Sequence, residues 1–295
     1  MNILNLNSRA DNAGLSIRLT DAINRHTSHK ARLLARMRHK FNYPTDILTK
    51  DPQIIKKWVD WADIVNCYFI YTPRYRRFYE IPDKKLIWSH IGSIFRAKHR
   101  EIRELSQKLK PRMLISSIEL LFYEDLTWLP NAVPVDDWLK MKTSHTGKPI
   151  VCQTPNSRKQ KRTNEILAQI ANKVNVNIHI IENVPWRKCM QLKSKADIYI
   201  GEFNIGYGMS ELEAMAMKIP VITNLSPRSD ALLRREVGTL PHYDCPLVNL
   251  SDGIDKLLSD KDLYDKHVEL GFEYVKRFHD YPVVAKKFIA ICESM

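Results

Sequence analysis

Residues Gly201 to Asn224 read GEFNIGYGMSELEAMAMKIPVITN. An apolar run through Ala196, Ile198 and Ile200 leads into this stretch as the end of a strand. A turn bearing Gly206, Tyr207 and Gly208 follows, then a helix entered through Ser210, Leu212, Glu213, Ala214 and Met215, then a buried strand, IPVIT. The order strand, glycine turn, helix, strand is that of a parallel α/β sheet. Two glycines ahead of a helix let a ligand approach the backbone and face the unpaired amides of the first helical turn, a place suited to an anion.

The amino terminus repeats the theme. Ile3, Leu4 and Leu6 make a first strand, Asn7 to Gly14 a polar turn, and Leu15 to about Arg25 a helix. Asp11, Asn12 and Gly14 are then expected at the carboxyl edge of a doubly wound sheet, where ligands bind; they are also ordinary turn formers. Asp63 to Ile70, Lys85 to His90 and Met113 to Ser116 read as further strands, with helices over Ile54 to Trp61 and from about Arg96 to Leu109. Asn42 to Leu48 and Asn224 to Asp230 read as loops, and His90, two residues before Gly92, ends its strand where it can reach into a cleft.

With 295 residues, 44% hydrophobic and 27% charged, the chain suits two domains of ordinary globular composition. No apolar run approaches the ~20 residues that span a bilayer. MNILNLNSR lacks the pattern of a signal peptide, and the five cysteines are odd in number and widely spaced. Structural thiols in a reducing cytoplasm are the expectation, with neither disulfides nor a zinc site.

The formal net charge is +13, and residues 1–145 carry most of it: 25 Lys and Arg against 15 Asp and Glu, versus 21 against 18 in the rest. A basic first half is suited to nucleic acid or an anionic membrane surface. In YTPRYRRFYE, Arg74, Arg76 and Arg77 alternate with Tyr71, Tyr75, Phe78 and Tyr79. Guanidinium groups pair with phosphates and aromatic faces stack on bases, as a nucleic-acid groove requires; an interfacial membrane contact uses the same chemistry.

The central stretch resembles the signature of glycosyltransferase family 4, in which Glu-Gly-Phe-Gly is followed by Leu-Glu-Ala-Met-Ala and a Pro-Val-Ile strand. Gly206, Gly208, Leu212, Glu213, Ala214, Met215, Ala216, Pro220, Val221 and Ile222 match, with Tyr207 between the glycines. The family's first glutamate falls on Ile205. In PNSRKQKR, Arg158 and Lys161 match the cations that hold the donor diphosphate, and Pro130, Asn131 and Val133 resemble the segment that ends the first domain.

The resemblance implies the GT-B fold, two Rossmann-like doubly wound α/β domains facing across a cleft. Residues 1–145 would bind the acceptor, 146–280 the nucleotide sugar, and 281–295 would form a helix crossing back to the first domain. It implies a retaining, metal-independent transfer from a UDP- or GDP-linked sugar. Glu213 would take the ribose hydroxyls, Arg158 and Lys161 the diphosphate, and Gly206, Tyr207, Gly208, Met209 and Ser210 would line the donor. His90 would face the sugar, and no cofactor or metal is expected; the single Asp-x-Asp, Asp260 and Asp262, sits at a helix start.

For the acceptor, Asp11, Asn12, Gly14, Arg74, Tyr75, Arg76 and Arg77 are the candidates. The first choice is DNA with a hydroxymethylated pyrimidine, as in virus-encoded base glucosylation, reached by flipping the base. The alternatives are a lipid-linked or cell-wall glycan on a peripheral-membrane enzyme, and a non-catalytic binding module, which the loss at Ile205 favours.

Overall fold

Short apolar runs separated by helices place every strand among the described residues in one of two parallel sheets. The computed structural model describes residues 1–68, 85–158, 162–170, 173–203 and 206–295. Two compact units emerge, Met1–Ala132 with His279–Met295, and Val133–Phe278.

The first unit is built on β1 (Asn2–Asn7), β2 (Lys30–Ala35), β3 (Ile47–Leu48), β4 (Ile64–Tyr68), β5 (Lys85–His90), β6 (Arg112–Ile115) and β7 (Thr127–Trp128), in the order β3-β2-β1-β4-β5-β6-β7. Its helices among the described residues include α1 (Leu15–His26), α2 (Pro52–Trp61) and α3 (Gly92–Leu109). Successive side chains of a strand point to opposite faces, and here both faces are covered. Leu4 and Leu6 join Val65, Trp88, Phe95 and Ile115 on one side, while Ile3 joins Ile23, Ile64 and Ile87 on the other.

The covering reaches the polar positions as well. Asn5, Asn7 and Asn66 are wholly buried and bond to neighbouring side chains. Asn66 Nδ2 donates to Asn5 Oδ1 at 2.8 Å, Asn5 Nδ2 to Thr20 Oγ1 at 2.9 Å, and the Ser89 hydroxyl to Asn66 Oδ1 at 2.7 Å. This chain of amides ties β1, β4 and β5 to α1, satisfying groups that would otherwise be costly to bury.

The second unit comprises α4 (Val135–Leu139), β8 (Ile150–Gln153), α5 (Thr163–Ile170), β9 (Asn177–Ile180), α6 (Trp186–Lys193), β10 (Ile198–Phe203), α7 (Met209–Ala216), β11 (Val221–Asn224), α8 (Pro227–Val237), β12 (Tyr243–Asp244), α9 (Leu250–Ser259) and α10 (Lys261–Phe278). The sheet order is β12-β11-β10-β8-β9. The last helix, α11 (Tyr281–Glu293), lies on α1 and sends Val284 and Phe288 into the first unit's core.

Three local expectations are revised. Residues 227–237 form a helix, because the Ser226 hydroxyl accepts the Ser229 N–H at 3.2 Å and Pro227 occupies the first turn, where its missing N–H costs nothing. Strand β10 continues through Phe203: an added Cβ at Gly201 would lie 3.1 Å from both Glu211 Cγ and Thr223 Cβ, so only glycine lets strand and helix approach here. Ile47–Leu48 is an edge strand, since the preceding Asp46 accepts the Leu33 N–H and holds the segment beside β2. Asp260, of the Asp-x-Asp pair, accepts the Leu263 N–H at 2.9 Å as the cap of α10. No helix among the described residues is long and apolar enough to cross a membrane.

Candidate functional site

In an open parallel sheet, ligands bind where the strand order reverses, outside the carboxyl ends of the two diverging strands. In the second unit that point lies between β8 and β10. Gln153 and Thr154 end one strand there, and Glu202 and Phe203 end the other. Their groups are fixed from below: Thr163 Oγ1 donates to Gln153 Oε1 at 2.8 Å, and the Thr154 and Tyr199 hydroxyls are 2.8 Å apart.

The glycine turn beyond β10 is held by Glu211, to which the sequence pattern assigns no role. Its carboxylate accepts the Glu202 N–H at 2.9 Å and the Gly208 N–H at 3.0 Å, closing the turn onto the first turn of α7. An added Cβ at Gly208 would sit 3.0 Å from Glu211 Oε2. Gly208 therefore makes room for a carboxylate of the chain itself. Met209 is buried and Ser210 half-buried at the start of α7, and Gly206 is buried in the turn. Tyr207 turns inward: its hydroxyl bonds His242 Nδ1 and its ring packs 5.7 Å from Tyr274. Burial holds the Tyr207 phenol well above its usual range and pulls His242 down to about 3, so both are neutral anchors.

Glu213 projects from α7 and is 3% exposed. Trp186 Nε1 donates to its Oε1 at 3.0 Å, and Lys193 Nζ to its Oε2 at 2.5 Å. Lys193 is fully buried, donates also to the Ser210 carbonyl at 3.3 Å, and lies 5.1 Å from the centre of the Tyr199 ring. Burial would lower this ammonium, but the Glu213 carboxylate outweighs it and holds Lys193 above the ordinary lysine range. A sequence signal for it existed: Trp186, Met190 and Lys193 share one face of α6, so the lysine interrupts an inward stripe.

Arg158 lies beyond β8, half-exposed, and its guanidinium forks onto Glu182: Nη2 to Oε1 at 2.7 Å and Nε to Oε2 at 2.9 Å. Hydrogen bonding to Arg158 lowers Glu182 below the usual carboxylate range. Lys161 and Ile205 lie outside the described residues, as do Arg74, Tyr75, Arg76 and Arg77.

In the first unit the order reverses between β1 and β4. Asp11 follows β1 at that edge, 1% exposed, accepting the Ser16 N–H at 3.0 Å and the Ile17 N–H at 2.9 Å. It caps α1, with Asn12 half-buried beside it and Gly14 in the left-handed region at φ +67°, where an added Cβ would meet Tyr43 Cδ1 at 2.9 Å. His90 ends β5, buried among aromatic rings, 5.1 Å from Phe95 and 6.2 Å from Trp88. Burial pulls its imidazole down to about 3, so it is neutral at physiological pH. It borders a cavity of about 20 Å³ with Tyr68, Ser89, Ser116 and Asn131.

Burial pushes Asp11 up to about 6 against the lowering effect of its two amide bonds. A carboxyl whose folded pKa exceeds its unfolded one contributes most below about pH 4 and loses that contribution as pH rises toward 6. Asp11→Asn removes this titration. The wild-type stability relative to Asp11→Asn is expected to fall between pH 4 and 7 by up to about 3 kcal/mol, read by urea denaturation at each pH.

No protein-family model matches the sequence, and no curated protein is similar to it in sequence. Solved structures are similar to it over the full chain. HepE from Anabaena, in complex with UDP and glucose, superposes with a TM-score of 0.72 at 12% identity, covering 100% of both chains. An alpha-glucosyltransferase in complex with UDP and a 13-mer DNA containing a central A:G mismatch gives 0.71 at 12% identity, covering 99% of both. WaaG, a glycosyltransferase involved in lipopolysaccharide biosynthesis, gives 0.58 at 12%, covering 99% of both. With its two doubly wound parallel units, the chain has the fold of the GT-B glycosyltransferases.

Proposed function

We propose that the chain is a retaining, metal-independent glycosyltransferase of the family 4 type. It moves a sugar from a UDP-linked donor to a hydroxyl of an acidic acceptor, and a hydroxymethylated pyrimidine in DNA is the favoured acceptor. The observation that carries the donor half is Glu213, a carboxylate on α7, the helix that follows β10, fixed there by Trp186 and Lys193. HepE and the alpha-glucosyltransferase were both solved with UDP, which favours uridine over guanosine.

Glu213 accepts from the ribose hydroxyls, while Arg158 and Lys161 take the diphosphate, Arg158 exchanging Glu182 for phosphate oxygens. The Met209 and Ser210 end of α7, with Gly206 and Gly208 in the turn before it, lies beside the phosphates, and Tyr207 anchors that turn. The bond from the anomeric carbon to the diphosphate oxygen breaks with its electron pair on the oxygen. The acceptor hydroxyl oxygen bonds the same face of that carbon, and its proton passes to the departing diphosphate. Cations beside that oxygen act where negative charge grows. His90, neutral and buried at the end of β5, is the first-unit residue assigned to the sugar in this reading.

The basic first half supports the acidic acceptor, and the DNA in the alpha-glucosyltransferase complex favours a nucleic acid. Asp11, Asn12, Gly14, Arg74, Tyr75, Arg76 and Arg77 are the acceptor-side residues in this reading. Replacing Arg74, Arg76 and Arg77 with glutamine is expected to reduce the slope of log K for DNA against log salt by up to about 3, roughly 0.9 for each phosphate that is no longer neutralised. An unchanged slope removes the DNA from that segment.

A lipid-linked or cell-wall glycan is the second reading, favoured by the likeness to WaaG. One assay separates the two: purified protein, a panel of nucleotide sugars, and duplex DNA with or without hydroxymethylpyrimidine, read by mass spectrometry. A sugar-sized mass gain confined to the modified DNA supports the first reading. Release of nucleoside diphosphate without that gain supports the second. Neither signal points to a non-catalytic binding module, with Ile205 as the residue to explain.

A further inference from the structure

We infer that Lys193 is a positioning residue for the nucleotide, holding Glu213 ionised and aimed so that the site selects ribose over deoxyribose, with Trp186 fixing the second carboxylate oxygen. This rests on the donor-site reading of Glu213. The lysine is the buried centre of a connected set: Glu213 and the Ser210 carbonyl from α7 accept its hydrogen bonds, the Tyr199 ring of β10 covers it, and Tyr199 reaches Thr154 at the tip of β8. The set joins the candidate ribose contact to the two strands of the switch point, at Tyr199 of β10 and at Thr154 just beyond β8.

A buried cation with no exposed surface has no role in solubility, and an ion pair at such depth is seldom a net source of stability. Its consequence here is electrostatic. A carboxylate 3% exposed, deprived of its cation, is driven toward the protonated form by desolvation. The carboxyl then donates a proton where a ribose hydroxyl needs an acceptor. The other titratable groups around the pair are neutral near pH 7: burial raises the Cys189 thiol of α6, the Tyr199 phenol and Cys152 of β8, the last to about 12. Glu211, on α7, is committed to the Glu202 and Gly208 amides.

The test is calorimetric binding of UDP-glucose and its 2′-deoxyribose analogue between pH 6 and 8, a range in which the sugar nucleotide does not titrate. Lys193→Met is expected to weaken UDP-glucose about tenfold or more at pH 7, increasingly so toward pH 6, and to erase the preference over the deoxy analogue. Lys193→Arg is expected to restore the wild-type pH profile. In a Glu213→Gln background, where no charge needs holding, Lys193→Met is expected to change affinity by less than about twofold, the coupling expected of residues acting through one contact. Should Lys193→Met not fold, Lys193→Gln, a donor without charge, carries the same pH test. Wild-type affinity, pH profile and ribose preference in the lysine variants would overturn the inference while leaving Glu213 as the ribose contact. If Glu213→Gln itself binds UDP-glucose as the wild type does, the donor-site reading fails, and the inference with it.

Discussion

Glu213→Gln is expected to lower affinity for UDP-glucose by about 10- to 100-fold, the loss of a charged acceptor for a ribose hydroxyl. The amide keeps the volume and one acceptor oxygen, so what changes is chiefly the charge. Glu213→Ala is expected to do something further, to the fold itself. It removes both hydrogen bonds to the side chain and leaves the Lys193 ammonium buried without its anion, a defect that costs about 3–5 kcal/mol. Guanidinium denaturation reads that loss directly. The double variant Glu213→Leu with Lys193→Met removes both charges together and is expected to recover much of it, since apolar replacement of a buried pair is often close to neutral. An alanine variant as stable as the wild type would mean that the pair is solvated in solution. Unchanged nucleotide affinity in Glu213→Gln would move the donor away from α7.

The second large effect concerns turnover. Arg158→Ala combined with Lys161→Ala is expected to depress kcat by about 10³-fold or more, while acceptor affinity stays within about twofold. Removing one preorganised group facing developing negative charge costs on the order of 10²–10³ in rate, and here two cations are withdrawn. Single-turnover kinetics with saturating donor check this. Equal losses in turnover and acceptor binding would make the two cations a general basic surface. Arg158 is held by Glu182, so in the proposed reading its guanidinium would meet the diphosphate already oriented by a carboxylate that it must leave.

How legible the chain is differs between its parts. The alternation of apolar strands with amphipathic helices is readable because burial of a parallel sheet on both faces demands uninterrupted hydrophobic runs, as in Ile198 to Ile200 or Val221 and Ile222. The place of Glu213 on the helix after the glycine turn is readable because periodicity and helix entry act within a few residues of it. Residues 227–237 do not read as a helix, because a Ser-Pro start signals a turn as readily as a cap; the Ser226 bond to Ser229 decides between them. The polar positions of β1 alternate as an exposed face would, yet they form an internal amide network, since nothing local tells Asn5 that Asn66 and Thr20 will meet it.

By itself, then, the sequence determined the two parallel sheets, the glycine turn before α7 and the carboxylate on it, because periodicity, turn chemistry and helix entry act within a few residues of one another. Only the tertiary structure decided what those groups touch. It gave Gly208 to Glu211, Asp11 to the start of α1, Arg158 to Glu182, and Glu213 to Lys193 and Trp186. The last of these partners lie 20 and 27 residues from Glu213 along the chain, too far for any local rule. In the low-dielectric interior such a meeting sets whether a carboxylate is charged and where it points, and that depends on which elements pack together rather than on the residues beside it.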